Sequence, residues 1–434
     1  METQHNIGIH IEKPRLGLPV SLVVDDGVPC INPLYYFYLQ VPMDRHEVHE
    51  PCIPLDLIEQ FAEVAQRHAI RGKFTVLPYP AGLGTILEGW DGCDRQEIAR
   101  WLDVARSEIA PQFDITPEIL THTLALDLST HTLIPQAAEH IWMADRTQTE
   151  LTEYMRTAVD LLRQANFAPT GITQPCYFNG DRDAYAQAVL ASLRPANQDP
   201  DGTVVFYFVD FLPEDPPLPP PPVVVLDRDK GEAVVSILCN ANDYFWNTQY
   251  AAGVNATQAA DKFITADGQA GRLVDLIRGD AWAVMVTHWQ SLYSNGSRQG
   301  LAGLDEVASR LARTYGPRLL WMTTSQIARY RVAEETTRIT LLDGETVQFD
   351  AVFACPDFTF TLQSPSFGTG RIDGVETVQQ GIASPLAQDK ADDGQMSSAS
   401  WRQTGDRITV CFDLQPGTQS LRLRRQKIIC GVGA

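Results

Sequence analysis

The chain is poor in cysteine and in positive charge. Eight cysteines in 434 residues are too few for a disulfide scaffold, and none stands in a CxxC or similar close pair, which excludes a zinc ribbon. Most are expected as buried free thiols. Lys and Arg number 34 against 54 Asp and Glu, a net charge of −20. The one basic cluster, Arg422, Arg424, Arg425 and Lys427, is short and C-terminal. Nucleic acid and anionic membrane surfaces need concentrated positive charge, so both drop out as partners. No apolar run reaches the roughly 20 residues of a membrane-spanning helix. The start Met1-Glu2-Thr3-Gln4-His5-Asn6 lacks the basic opening and apolar core of a secretory signal, which predicts a soluble cytoplasmic protein. No internal repeat is found. At 44% hydrophobic residues the chain can build large cores, and its length suggests two or three domains or one barrel with an appendage.

Short apolar runs alternate with helical patterns through the first three-quarters, the signature of parallel strands with crossover helices. Ser21-Leu22-Val23-Val24 runs into Asp25-Asp26-Gly27 as a buried strand runs into a polar loop. Leu57, Ile58, Phe61, Ala62 and Ala65 mark one helix face, and Lys73–Leu77 reads as the next strand. Ile98, Trp101, Leu102, Ala105 and Ile109 form a second stripe, followed by a strand at Glu118–Thr121. A helix over Leu151–Ala165 leads to Gly171-Ile172-Thr173. Further strands are expected at Val204–Val209, Val223–Leu226, Ala233–Leu238, Trp282–Thr287 and Leu319–Met322. The count favours a (β/α) barrel of seven or eight parallel strands over residues 1–333. Pro216 to Pro222, with six prolines in seven residues, is a polyproline II connector. Residues 334–434 change rhythm: short β-like segments are divided by turns such as Asp343-Gly344, predicting an all-β, sandwich-like domain. Gln379 to Ser400 reads as a loop within it. That domain would bind sugar, cap the barrel or form a homo-oligomer contact.

In a parallel barrel the side chains at the carboxyl ends of strands converge on one rim. Asp25 and Asp26 end the first strand, His122 the third and His288 a late one. Four ionisable groups at equivalent strand ends exceed what a surface needs. His46 and His49, with HxxH spacing, follow the first strand and would line the same rim or lie in a solvated loop. Tyr79, Trp90, Trp246, Trp289 and Tyr293 fall near rim loops and are candidates for stacking on sugar rings, or for ordinary core packing.

These residues resemble the polysaccharide deacetylases with the NodB-homology domain, in the glycoside hydrolase/deacetylase (β/α)-barrel superfamily. Val23–Gly27 looks like the family's first motif, a strand running into Asp-Asp-Gly. Glu118-Ile119-Leu120-Thr121-His122-Thr123 is similar to the second, and Val284–His288 to the last. The resemblance covers roughly residues 18–330. It implies that Asp25 is the general base, that Asp26 and His122 bind a divalent metal, zinc with nickel or cobalt as alternatives, and that His288 is the general acid. The implied reaction is hydrolysis of an N-acetyl or similar C–N amide bond in a carbohydrate or small amide.

The sequence departs from the family pattern at three places. Leu126 stands four residues after His122, where the family has a second metal-binding His. Asp127 or His131 could replace it, and His131 is preferred because imidazole suits zinc. Thr173-Gln174-Pro175 stands in place of an Arg-containing motif that orients the base. Asn242-Asp243-Tyr244-Phe245-Trp246 is a distant candidate for the Asp/Trp motif. The alternatives are a catalytically silent carbohydrate-binding barrel and a glycoside hydrolase of the same superfamily, the latter disfavoured because adjacent Asp25 and Asp26 would point apart.

Overall fold

The computed structural model describes residues 8–41, 49–174, 176, 178–194, 202–211, 219–250, 252–368, 372–390 and 394–425. It divides into two compact units, Pro19–Ala328 and a second formed by Met1–Leu18 with Arg329–Ala434.

The larger unit carries seven parallel strands in two sheets: β1 (Leu18–Asp25), β2 (Gly72–Val76), β3 (Phe113–Pro117), β4 (Gly171–Thr173), β5 (Val204–Phe211), β6 (Glu232–Cys239) and β7 (Ala283–His288). One sheet runs β7-β1-β2-β3, with the expected late strand, observed as Leu319–Trp321, also paired to β1, and the other β4-β5-β6, with Val223–Asp227 added antiparallel to β6. All five residues of β2 and seven of the eight in β1 are buried, as expected of parallel strands covered on both faces. Between them, α2 (Asp56–Arg67) buries the stripe Leu57, Ile58, Phe61, Ala62 and Ala65. Capping boxes start two further helices: Asp94 with Glu97 on Arg95–Val104, and Thr147 with Glu150 on Gln148–Gln164. Each satisfies otherwise orphaned N–H groups at a helix start.

The two sheets meet at one margin through the isolated parallel bridge Ala241–Met285. At the other margin no backbone pairing joins β3 to β4 among the described residues. The strand count predicts a closed or nearly closed barrel; among the described residues backbone pairing joins the two sheets at one margin, and closure at the other is not shown. Strand β4 is three residues long and pairs with β5 from Tyr207 to Val209. Side chains cross that margin instead, the Tyr207 hydroxyl donating to Asp114 at 3.1 Å. Two other expectations need correction. Val223–Asp227 pairs antiparallel, so it is no part of the parallel set. The third strand ends at Pro117, before the expected span Glu118–Thr121 begins, because a proline has no N–H to extend a ladder.

The smaller unit contains two five-stranded, chiefly antiparallel sheets. Phe349 from one packs at 5.0–5.2 Å against Phe360 and Phe412 of the other, the interdigitation of a sandwich. The N-terminal strand Gly8–Ile11, assigned from the sequence to the first domain, pairs antiparallel with Cys355–Gln363 and belongs here. The expected loop Gln379 to Ser400 contains the strand Ile382–Pro385, paired to Ile372–Gln379.

Cys30 and Cys93, 63 residues apart, form a disulfide with Cα atoms 5.8 Å apart. Spacing could not reveal that pair, and it corrects the expectation of free thiols, which holds for buried Cys239, Cys355 and Cys411. Reducing compartments do not favour such a bond, so it is at odds with the expected cytoplasmic setting. No helix among the described residues is long and apolar enough to cross a membrane. Part of the Pro-rich connector, His46 and Lys427 lie outside the described residues.

Candidate active site

The carboxyl ends of the strands bring the rim residues together. Asp25 is the last residue of β1, Glu118 follows β3, Thr173 ends β4 and His288 ends β7. Asp25 and His288 are register partners in the β1–β7 ladder.

Asp25 is buried and held by Lys73, a fully buried lysine of β2 whose Nζ donates to Asp25 Oδ1 at 2.6 Å. The Thr75 hydroxyl donates to the same oxygen at 2.8 Å, and Lys73 Nζ also reaches Thr75 and Thr173. Asp25 Oδ2 is buried with no hydrogen-bond partner. The residue that orients Asp25 is thus Lys73, where the sequence suggested that such a residue was missing. A lysine inside an apolar strand was the available signal, since a buried ammonium requires a partner.

Asp26 follows with φ 62°, a left-handed turn that sends its carboxylate away from Asp25. Oδ2 accepts from Gln290 Nε2 at 2.6 Å, and Oδ1 lies 3.1 Å from His122 Nε2. His122 Nδ1 in turn lies 3.0 Å from Glu118 Oε1, and Glu118 Oε2 accepts from the Asp26 backbone N–H at 3.1 Å. One ligand atom from each of Asp26, Glu118 and His122 lies within 4.8 Å of the others. Buried Asp26 Oδ1 and His122 Nδ1 thus find their polar contacts within this group, through these ion pairs. Two carboxylates and one imidazole converging in this way fit a divalent cation of the zinc type, three protein ligands leaving a position open.

His131 is not part of this group. It sits exposed at the turn between the paired strands Leu124–Asp127 and Thr132–Ala138, with φ 55°. Asp127 is engaged in that turn, its carboxylate accepting from Ser129 and Thr130, and Leu126 is buried in the core. Glu118 stands with Asp26 and His122 instead. The apolar run makes it the first residue of a strand, but Pro117 is the sign that the strand ends before it.

The loop carrying His122 is strained and clamped. Ile119 has φ 52° and His122 φ 57°, and a β-branched residue in that region is a true outlier. Glu139, buried at the start of the helix Glu139–Ala144, holds the loop in place. Its carboxylate accepts from the backbone N–H groups of Leu120, Thr121 and His122 at 2.8–3.3 Å and from the Tyr154 hydroxyl at 2.7 Å.

His288 Nδ1 donates to Asp243 Oδ2 at 2.8 Å, as do its own backbone N–H at 3.1 Å and the Ser291 hydroxyl at 2.7 Å. The Trp246 ring meets His288 edge-on at 5.1 Å. The segment Asn242–Trp246, a distant candidate in the sequence, therefore supplies the partners of His288.

Charge and burial compete throughout. Burial opposes charge on His288, but the Asp243 hydrogen bond and the charges of Asp26, Asp243 and Asp25 outweigh it and raise the imidazole to about 9. Burial, then the neighbouring Asp26 charge, pushes Glu118 up to about 8. For Asp26, burial is outweighed by the charges of His122 and His288 with hydrogen bonds, and the carboxyl stays below its ordinary value. His122 is likewise raised well above its ordinary value: burial opposes its charge, but Asp26 and Glu118 prevail.

These residues line a cavity of ≈720 Å³. Of the expected stacking aromatics, Trp246 lines it. Trp289 packs in the core against Phe61, Phe74 and Trp101, Trp90 is buried, and the Tyr293 hydroxyl donates to Glu50 at 2.5 Å. His49 is buried between the rings of Tyr38 and Tyr250 at 5.6–5.9 Å.

No family model matches the chain, and no curated protein matches it. Solved structures similar to it include a polysaccharide-deacetylase-type protein from Mycobacterium smegmatis, at 14% identity over 67% of this chain and 81% of that one, TM-score 0.40. Peptidoglycan deacetylase PdaC from Bacillus subtilis follows at 11% identity over 72% and 91%, TM-score 0.34. A CE4 family pseudoenzyme from Bacillus anthracis is similar at 9% identity over 68% and 63%, TM-score 0.31. What the site can do is read from this chain's own side chains.

Proposed function

We propose that the protein is a metal-dependent amidohydrolase that removes an acyl group from the nitrogen of a sugar or similar small amide. One observation carries this: Asp25 and His288 end neighbouring strands on the same cavity as the Asp26–Glu118–His122 group. The ligands would be Asp26, His122 and Glu118. A bound divalent ion there would polarise the amide carbonyl and make water more acidic.

The remaining work falls to side chains. Asp25 Oδ2, whose companion oxygen is tied to Lys73 and Thr75, takes the proton of the attacking water as its oxygen bonds to the carbonyl carbon. Lys73 fixes the carboxylate and stabilises its charge. His288, with Nδ1 committed to Asp243, presents Nε2 and protonates the nitrogen as the C–N bond breaks. The products are a carboxylic acid and a free amine. A glycosidase reading is disfavoured because each carboxylate of the cavity is engaged by a side-chain partner, Asp25 by Lys73, Asp26 by His122 and Gln290, Glu118 by His122 and Asp243 by His288, whereas that chemistry needs a carboxyl pair free to face a sugar.

The test is amine release from N-acylated glucosamines by protein loaded with zinc, cobalt or nickel. Asp25→Asn and His288→Ala are expected to lower kcat by roughly 10²–10⁴-fold. Background release that is equal in wild type and both variants would reject the reading.

A further inference from the structure

Resting on that reading, we infer that the acyl group cleaved here is a neutral medium-chain aliphatic one, seated against an apolar wall built by the helix α1 (Pro33–Gln40). That helix directly follows the Asp25–Asp26 turn, and Asn32 caps it by accepting from the Leu34 N–H. Leu34 and Phe37 of α1, with Val41 just beyond it and Ile141 of the helix Glu139–Ala144, line the cavity.

The side of the reaction this wall serves follows from the acid. His288 must reach the departing nitrogen, so the amine lies toward His288 and Trp246. The Phe37 ring lies 6.1 Å from the His122 ring between centroids, beside a proposed metal ligand, and on this reading the acyl carbon's substituent extends along it. An acetyl group would set one methyl against Leu34, Phe37, Val41 and Ile141, whereas a longer alkyl chain would cover them, and the whole cavity of ≈720 Å³ is in the range of sites that enclose a ligand of that combined size. Leucine, valine and isoleucine offer no partner to sugar hydroxyls, and the polar groups that the same two helices bring to the cavity are those of Tyr38 and His140. Ile141 is 61% exposed at the cavity's edge, a site that an alkyl chain would cover. Among the described lining residues of the cavity there is no lysine or arginine. The far end of an anionic acyl group such as succinyl, lying along this wall, would find no ammonium or guanidinium to pair with.

Two ladders test this. N-acylglucosamines from acetyl to octanoyl, with N-succinylglucosamine as the anionic control, give kcat/KM. N-alkanesulfonylglucosamines of the same lengths, which cannot be cleaved as amides, give Kd by calorimetry on the metal-loaded wild type. Both kcat/KM and affinity are expected to rise about fourfold per added methylene until the wall is covered, as burial of each CH₂ dictates. Phe37→Ala and the surface change Ile141→Ser should each flatten the slope, and succinyl should be the poorest substrate. Constant or weakening affinity along the sulfonyl ladder would overturn the inference, as would preference for acetyl in the hydrolysis series. Absence of hydrolysis for every amide, with a normal affinity slope, would instead sink the amidohydrolase reading and leave the apolar seat standing.

Discussion

Asp25 and His288 occupy one rung of a parallel ladder, as register partners at the carboxyl ends of β1 and β7. Each is tied from behind by a residue on a different segment, Asp25 by Lys73 and His288 by Asp243. On the proposed reading a base and an acid are thereby presented side by side on one rim, each with its outer atom left for a reactant. The backing residues should set how the site responds to pH and substitution.

Asp243→Asn removes the strongest support for charge on His288. The acid works protonated, so activity should fall as pH rises through its pKa of about 9. In the variant that alkaline limb should move to lower pH while the acid limb stays in place. An unchanged alkaline limb in kcat/KM would show that His288 is not the acid.

Lys73→Met leaves the buried Asp25 carboxylate without its partner. Breaking one side of a buried pair costs about 3–5 kcal/mol, measurable by denaturant unfolding. The Asp25→Asn/Lys73→Met double variant should recover a large part of that loss without recovering activity. A loss in the double variant equal to the sum of the two single losses would show that the pair is not coupled.

Glu118 binds a proton more tightly in the fold than in the unfolded chain, about 8 against 4.5. Its contribution to the stability of the metal-free protein is therefore full below about 4.5 and is lost as pH rises through about 8; His122, also raised, acts in the same direction. Glu118→Gln should flatten this decline in melting temperature. Metal binding near pH 7 should release protons, because the ligands must give them up. Calorimetry in buffers of different ionisation enthalpy checks the release.

The disulfide closes a loop between Cys30 and Cys93, 63 residues apart. Replacing both cysteines by alanine should cost about 4 kcal/mol by loop-entropy reasoning, read from denaturant midpoints under non-reducing conditions. Midpoints unchanged from wild type would show that the bond does not constrain the unfolded chain.

Much of this was legible in the chain. Abrupt ends of apolar runs marked Asp25, Asp26 and His288, and helical spacing marked α2 down to its buried face. His122 was placed at the rim although its strand was set too late, because Ile119 and Leu120 are apolar loop residues in the core rather than strand residues. That same shift hid Glu118. Lys73 and Glu139 were not recognised because their importance lies in partners 48 residues away, in Asp25, and 17–19 residues away, in the loop at Leu120–His122. His131 was favoured for its chemistry, but a hairpin carries it to an exposed turn. Closure of the barrel depends on backbone pairing at one margin, which strand counting does not address.

Metal content of the purified protein tests the central claim most directly. Wild type, His131→Ala, Glu118→Ala and His122→Ala would each be loaded with zinc, desalted and measured by elemental mass spectrometry. About one ion per chain is expected in wild type and His131→Ala, with little in Glu118→Ala or His122→Ala. Full occupancy in Glu118→Ala, or loss of the ion in His131→Ala, would contradict the Asp26–Glu118–His122 site.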